Sequence, residues 1–203
     1  MLVKTYGSAV FGVDAVTITA EVSVEQGFKF FLVGLPDNAI KESQHRIETA
    51  IKHLGYRMPR NRIVINLAPA DIRKEGSAYD LTIATALLAA SDTIENVEEI
   101  SQYIIMGELS LDGSLQPIKG AFPIAINARK EKFKGLILPK QNAREAAIVN
   151  NIDVYGVDSL ADVIDFFNGT KKLIPEFVDT RAEFSDNQMR SEYDFADVKG
   201  QSN

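Results

Sequence analysis

The first strong pattern along the chain is an alternation of apolar and polar residues near the amino terminus. Within Ala15–Glu25, apolar side chains fill every second position from Val16 to Val24, and Thr, Glu or Ser fill the positions between them. This period of two predicts a strand with one buried face. Strand-like runs flank it at Leu2–Phe11 and Phe28–Val33. The pattern therefore predicts that an antiparallel three-stranded meander opens the domain.

Beyond the meander, helical spacing alternates with short apolar runs. Ile40, Ile47, Ile51 and Leu54 follow helical spacing, and Gly55 stands where a carboxyl-terminal cap belongs. Asp112-Gly113 predicts the turn of a hairpin. The other predicted strands are Arg62–Leu67, Tyr103–Leu109, Leu115–Ile118, Leu136–Leu138 and Val154–Val157, and the other predicted helices are Leu81–Ala90, Phe122–Lys132, Ala143–Val149 and Leu160–Phe167. This mixture predicts an α+β, two-layer α/β fold, with helices packed over a sheet.

The carboxyl-terminal part of the chain differs from the rest. Residues 170–203 lack apolar periodicity, and seven acids against two arginines give Glu176–Asp197 a local charge of −5. We therefore expect one domain over residues 1–170 and an acidic linker over 171–203.

Charge is unevenly distributed, although the net charge of −6 argues against a global attraction to nucleic acid. From Lys41 to Lys74, eight cations face three acids, which leaves a local charge of +5. These cations are candidates for contacts with a DNA backbone: Lys41, Arg46, Lys52, Arg57, Arg60, Arg62, Arg73 and Lys74. The alternative is a solvated helix face whose cations pair with Glu42 and Glu48.

Composition excludes several classes of site. The chain has no cysteine and only two histidines, His45 and His53, so a thiolate site, a Cys nucleophile or a His-rich zinc site is not expected. No GxxxxGK[ST] loop for nucleotide phosphates occurs. No apolar run approaches the ~18–20 residues that span a bilayer, and no signal peptide is evident. We expect a cytoplasmic protein with no membrane partner, and no cofactor or metal in this domain.

The densest motif is Leu67–Leu81, a loop that contains Gly76 and Ser77 and is followed by a small-residue helix. Such a loop is able to place a nucleophile or an anion at a helix amino terminus. The structural interpretation, which spacing alone favours, is a loop that caps a core helix, with Asp80 as the cap and Tyr79 packed on the sheet.

Four long strings, at residues 2–22, 30–51, 65–91 and 107–125, resemble the amino-terminal domain of magnesium-chelatase-like AAA+ ATPases of the ComM or YifB type. The resemblance covers residues 1 to about 170, and Asp194–Gln201 is similar to the approach to that family's ATPase module. It implies a longer protein that binds ATP and Mg²⁺ and forms a homo-oligomeric ring, a hexamer. It also implies either DNA branch migration during competence and recombination, which we favour, or magnesium insertion into a porphyrin. This domain would then contact its own ATPase module, neighbouring subunits and DNA, or act only in subunit assembly.

The same region more distantly resembles the proteolytic domain of Lon, whose fold is shared with a domain of a small-subunit ribosomal protein. That family uses a Ser–Lys dyad. Laid on this chain without a gap, the serine position falls on Ala78 and the lysine position on Phe122, and neither side chain supports the chemistry. The resemblance therefore implies a non-catalytic domain. The alternative is a peptidase in which the neighbouring Ser77 and Lys119 replace the dyad.

Overall fold

A computed structural model describes residues 1–59 and 61–179. The strands of this part are β1 (Leu2–Phe11), β2 (Asp14–Glu25), β3 (Phe30–Val33), β4 (Arg62–Ala68), β5 (Tyr103–Ile105), β6 (Glu108–Leu109), β7 (Leu115–Gln116), β8 (Gly135–Pro139) and β9 (Asp153–Val157). The helices of this part are α1 (Asn38–His53), α2 (Asp80–Ala90), α3 (Val97–Ile100), α4 (Ala121–Lys130), α5 (Lys140–Ala147) and α6 (Leu160–Phe167), with a 3₁₀ turn at Ser77–Tyr79.

The central sheet has the strand order β3-β4-β2-β1-β5-β8-β9. β1 and β2 form the predicted antiparallel hairpin, with Val3 opposite Val22 and Thr5 opposite Ala20. The predicted meander is wrong at its third strand, because β4 pairs with β2 and separates it from β3. β3 instead pairs in parallel with β4, after the crossover through α1. The other neighbours of the sheet, β1-β5-β8-β9, are parallel.

The predicted mixed α/β class is confirmed. Because successive side chains of a strand point to opposite faces of the sheet, their contacts show which face each helix covers. On one face, the hydroxyl of Thr5 donates to the carbonyl of Thr82 in α2, and α1 and α6 pack beside α2. On the other face, Asn127 of α4 donates to the Thr17 hydroxyl of β2 at 3.0 Å, and α5 packs beside α4. A second helical layer therefore covers β2, β1, β8 and β9, which the two-layer prediction did not include.

α2 forms the centre of the core. All of its residues from Asp80 to Ala90 are buried, because small Ala and Thr side chains let it lie close to β1, β2, α1 and α6. The prediction that Asp80 caps this helix is wrong. The helix begins at Asp80, but the capping position is Tyr79, which makes no side-chain cap.

Two further segments differ from the sequence prediction. The run Tyr103–Leu109 does not form one strand: β5 joins the central sheet, whereas β6 leaves it and forms the predicted hairpin with β7 around Gly113. After α6, the Glu176 amide donates to the Val154 carbonyl at 2.7 Å and Val178 is buried. The start of the predicted acidic linker thus lies along β9, while residues 180–203 fall outside the described residues.

Candidate functional site

A cleft of about 630 Å³ opens where β1 and β5 separate, and it is called the β1–β5 cleft below. The residues around it come from the end of β1, the loop before α2, the start of β6 and the segment before α4. Its lining includes Val10, Ser77, Ala78, Glu108 and Lys119. Residues from the Leu67–Leu81 motif and from the segment before α4 therefore meet in one place.

The loop that carries Ser77 and Ala78 is fixed by main-chain contacts. The Gly76 amide donates to Asp37 Oδ2 at 2.9 Å, and the Gly107 amide donates to the Ala78 carbonyl at 2.8 Å. Gly76 has a φ of +84°, in the region that favours glycine. These contacts hold the loop against α1 on one side and against the β5–β6 junction on the other.

Directly after this loop, Asp80 at the start of α2 forms an ion pair with Arg46 of α1. Arg46 Nε donates to Asp80 Oδ2 at 2.6 Å and its Nη2 donates to Oδ1 at 3.0 Å, while the Leu109 amide donates to Oδ2 at 3.2 Å. Burial raises the pKa of Asp80, and Arg46 opposes that shift. The hydrogen bond to Asp80 in turn raises the pKa of Arg46. The pair is structural, since Asp80 has no exposed surface.

The two positions that resemble the Lon dyad hold side chains without acid–base chemistry. Ala78 lines the β1–β5 cleft. Phe122 is 40% exposed at the start of α4, and its amide donates to Glu145 Oε1 at 3.1 Å. Ser77 and Lys119, the alternative pair, line the same cleft, but the Ser77 hydroxyl donates to the Glu108 carboxylate instead. Within the described residues, no hydrogen bond joins Ser77 to Lys119.

Three of the predicted DNA-contacting cations share an exposed surface. Lys41 and Lys52 are exposed on α1, and about three helical turns separate them, which puts them on one face. Arg57 is exposed in the loop that follows. Lys52, Tyr56 and Arg57 line one groove, and Lys52 lies 3.8 Å from Glu48. Lys41, Lys52 and Arg57 are called the α1 basic surface below.

The other candidate cations lie elsewhere. Arg62 begins β4 and pairs with Glu25 at 3.4 Å, on the sheet face opposite α1 and α2, with its guanidinium 5.2 Å from the centre of the Phe31 ring. Arg73 pairs with Glu75 at 3.1 Å beside the β1–β5 cleft. Arg60 falls outside the described residues.

Two of the candidate cations are held in internal contacts. Arg46 is engaged with Asp80, as described above. Lys74 is fully buried, and its ammonium donates to the carbonyls of Gly34, at 2.8 Å, and Pro69. Burial lowers the pKa of Lys74, against an opposing effect of Asp71. The Lys74 ammonium is therefore engaged inside the protein, which does not favour the predicted phosphate contact.

Three further features are absent from the part of the chain that the structure describes. In residues 1–59 and 61–179, no three His, Asp or Glu side chains are grouped so that they could hold a metal ion. The sequence contains no GxxxxGK[ST] loop of the kind that holds nucleotide phosphates. Within the described part of the chain, no helix is both long and apolar enough to cross a bilayer.

The pattern along the sequence did not reveal Asp37 and Glu108 as members of this site. Asp37 lies 39 positions from Gly76, and Glu108 lies 31 positions from Ser77. The sequence pattern around each residue indicates secondary structure and not a site. Asp37 stands where the cap of a helix belongs, and Glu108 lies in a predicted hairpin. Only the fold brings these carboxylates to the loop before α2.

Comparisons with known proteins agree with the resemblance of the four strings. The chain is 41% identical over 173 residues to the competence protein ComM of Haemophilus influenzae, an alignment that covers 85% of this chain and 34% of that protein. It is 38% identical over 195 residues to YifB of Escherichia coli, covering 95% of this chain and 37% of that protein. An archaeal Lon protease of Thermococcus kodakarensis is 27% identical over 161 residues, 77% of this chain and 25% of that protein.

The chain thus spans little more than a third of the length of ComM and YifB. The family model described as subunit ChlI of Mg-chelatase matches residues 20–142, which is more than half of the chain. The matched region includes α1, the loop with Ser77 and Ala78, and the start of α4. The chain belongs to the family of the Mg-chelatase subunit ChlI, in the branch that contains ComM and YifB.

Proposed function

We propose that this chain is a non-catalytic domain of a Mg-chelatase-like AAA+ ATPase that remodels DNA in uptake and recombination. The competence protein ComM of H. influenzae is among its relatives, which supports this role. ATP and Mg²⁺ belong to a separate ATPase module in this proposal, because the chain has no nucleotide-phosphate loop. The assembly is a hexameric ring in the cytoplasm, and this domain contacts its own ATPase module, the neighbouring subunits and DNA.

One observation supports the contact with DNA above all others. The α1 basic surface carries three exposed cations, and Tyr56 lies beside two of them in the same groove. Cations in this arrangement bind phosphates without reading the sequence, and an aromatic ring allows a base to stack. The Lys52 ammonium also lies 3.8 Å from the Glu48 carboxylate, and the net charge of the chain is −6. Both oppose the attraction of phosphates. The affinity should therefore be weak, with a non-specific Kd of about 10⁻⁴–10⁻⁶ M at physiological salt.

The test is fluorescence anisotropy with labelled single-stranded and duplex DNA of mixed sequence, at about 50 and 200 mM salt. We expect binding that weakens steeply with salt and that is lost in Lys41→Glu/Lys52→Glu/Arg57→Glu. The matched control is Lys29→Glu/Lys130→Glu/Lys172→Glu, which changes the net charge equally at exposed positions outside this surface. Equal loss in both variants would mean that only net charge matters.

If low salt gives no binding at all, the contact with DNA is wrong and a subunit-assembly module of a metal-chelatase-like ATPase becomes the better proposal. The α1 basic surface would then meet an acidic surface of a neighbouring subunit or of the ATPase module. Cross-linking of Lys52 within the full-length ring would identify which of the two it meets.

A Lon-type peptidase is the second candidate, and the shared location of Ser77 and Lys119 in the β1–β5 cleft is the observation that favours it. The Ser77 contact with Glu108 and the residues Ala78 and Phe122 oppose it. Casein and fluorogenic peptides should therefore stay intact. Cleavage that Ser77→Ala abolishes would show that the domain is catalytic.

A further inference from the structure

Parallel pairing between β1 and β5 stops after a single pair, Tyr6 with Ile104. In a parallel ladder, the next step along β1 would join the Ser8 amide to the Ile105 carbonyl. That carbonyl instead accepts the Thr82 hydroxyl, and the Ser8 amide turns to Met106 Sδ at 3.3 Å. A side chain of α2 and the thioether of Met106 therefore end the ladder.

The remainder of β1 keeps a free edge on this side. β1 is paired with β2 along its whole length, down to Phe11 opposite Asp14. Main-chain groups of alternate residues in a strand point to the same side, so those of Val10 point the same way as the Ser8 amide. Within the described residues, no strand covers Val10 on that side. An edge of this kind is a template for one more strand.

The free edge forms one wall of the β1–β5 cleft, at the carboxyl ends of two parallel strands, where crevices of open α/β sheets bind ligands. The opposite wall is the Gly76–Ala78 loop, and Val10 and Phe11, which is 51% exposed, supply accessible apolar surface. Lys119 at the rim is exposed and has no salt-bridge partner within the described residues. Glu108, by contrast, is held by Ser77, and Arg73 pairs with Glu75.

We propose that the β1–β5 cleft binds an extended, uncleaved peptide segment of a partner protein as an added strand on the free edge of β1. The main chain of Val10 pairs with the main chain of the segment, as in strand addition to other sheet edges. Apolar side chains of the segment pack on Val10 and Phe11, and a carboxylate of the segment pairs with Lys119. This proposal is independent of DNA binding, which uses the α1 basic surface.

The experiment uses a fluorescein-labelled peptide, Ser-Val-Thr-Val-Glu-Val-Ser, blocked at its carboxyl end, with the full chain. Anisotropy should show saturable binding, and ¹⁵N-labelled chain should show amide shifts at Ser8, Val10 and Phe11. A peptide with Pro in place of its central Val lacks a main-chain donor and should bind at least about tenfold more weakly. The result that overturns the proposal is equal binding of the two peptides, or shifts that lie outside the cleft.

Charge exchange tests the role of Lys119. Lys119→Glu should weaken binding of the Glu-containing peptide by about tenfold and should favour a peptide with Lys in place of Glu. Lys130→Glu, an exposed cation on α4 outside the lining of the cleft, is the matched control and should bind as the parent chain does. Preserved DNA binding by Lys119→Glu separates this proposal from the one above.

Two other outcomes contradict the proposal. Cleavage of the bound peptide would mean that the cleft is a protease site. Self-association of the chain, with the same amide shifts in the absence of peptide, would mean that a second copy occupies the edge. Sedimentation of the free chain and mass spectrometry of the incubated peptide measure these two outcomes.

Discussion

Asp37 joins two segments that lie 39 positions apart, because its carboxylate caps α1 and also holds Gly76. Its Oδ1 accepts the Ile40 amide at 2.8 Å, and its Oδ2 accepts the Gly76 amide at 2.9 Å. The loop that carries Ser77 and Ala78 therefore depends on the same side chain that starts the helix of the α1 basic surface.

Substitutions at Asp37 should separate these two roles. Asp37→Ala removes both contacts and should lower the free energy of unfolding by about 2–3 kcal/mol. Asp37→Asn keeps an oxygen that caps Ile40 but offers an amide group to the Gly76 amide, so we expect a loss of about 1–2 kcal/mol. Urea unfolding measures both. Asn38→Ala, at the neighbouring exposed position, is the control, and a loss equal to that of Asp37→Ala would contradict the assignment.

The Arg46–Asp80 pair should be costly to break from one side. Arg46→Met leaves the Asp80 carboxylate buried without its cation, and we expect a loss of about 3 kcal/mol at neutral pH. The Asp80→Asn/Arg46→Met variant should recover part of that loss, because the buried charge is gone. If the losses of unfolding free energy in Arg46→Met and Asp80→Asn add up to the loss in the double variant, the two side chains are not coupled.

The loss in Arg46→Met should also depend on pH. Burial raises the pKa of Asp80 above its ordinary value of 3.8, and removal of Arg46 takes away the group that opposes this shift. A raised pKa means that the folded state binds more protons than the unfolded state, so the stability of the variant rises relative to the parent as the pH falls toward 3.8. Unfolding curves across the acid range measure this, and a loss that is constant with pH would contradict it.

Gly34, directly after β3, lies too close to Leu67 of β4 for a side chain. It has a φ of +101°, and a Cβ there would lie 2.1 Å from the carbonyl oxygen of Leu67. Gly34→Ala must therefore move backbone as well as strain φ, and we expect a loss of about 3 kcal/mol or more. The control is Gly55→Ala, with a φ of +82° and open space around it, which should cost about 1–2 kcal/mol. Thermal unfolding compares the two, and equal losses would contradict the close approach.

Local patterns predicted much of the fold because they report burial and chain reversal. The alternation in β2 and the helical spacing of α1 depend only on neighbours in sequence, and both elements form where they were predicted. The partner of β3 was predicted wrongly, since alternation shows which face of a strand is buried but does not specify its neighbour in the sheet.

The candidate site was less predictable, because charge counts do not reveal burial. Lys74 and Lys52 look alike in the sequence, yet Lys74 donates to the carbonyls of Gly34 and Pro69 inside the fold, and Lys52 is exposed. The contact of Ser77 with Glu108 was not predictable from the sequence either, because it depends on where β6 leaves the central sheet. Placement of Ser77 and Lys119 around one cleft follows from the crossover connections, which no local motif encodes.

Asp162 and Lys171 tie the end of the domain to α6. Burial opposes ionisation of Asp162, but the Lys171 ammonium and the amides of Asp158 and Ser159 outweigh it and lower the pKa of Asp162. A lowered pKa gives stability that is present above the unfolded value near 3.8 and is lost as the pH falls through the folded value.

Asp162→Asn should therefore cost about 1 kcal/mol near neutral pH. The difference from the parent chain should shrink below pH 3.8 and vanish only below the lowered pKa of the folded state, where the carboxyl is protonated in both states. Lys171→Met should show the same direction of pH dependence, since it removes the cation of the same pair. Chemical unfolding at a series of pH values is the measurement. If the loss of unfolding free energy persists in acid, it arises from packing and not from the charge of Asp162.

The acidic run near the carboxyl terminus should compete with DNA for the α1 basic surface. Truncation is a poor test, because Glu176 and Val178 pack along β9 and their removal would disturb the domain. Neutralisation avoids this problem, and five carboxylates beyond the packed segment are replaced by their amides: Glu183, Asp186, Glu192, Asp194 and Asp197. The change removes five negative charges, and we expect tighter DNA binding by about tenfold at low salt.

The same neutralisation made together with Lys41→Glu/Lys52→Glu/Arg57→Glu should give no gain, because the surface for which the acids compete is then absent. Anisotropy with labelled DNA at two salt concentrations measures both variants. If neutralisation tightens binding equally with and without the α1 basic surface, the acids act through net charge alone. If it changes nothing in either background, the acidic run does not reach this surface, and its charge is directed at another part of the assembly.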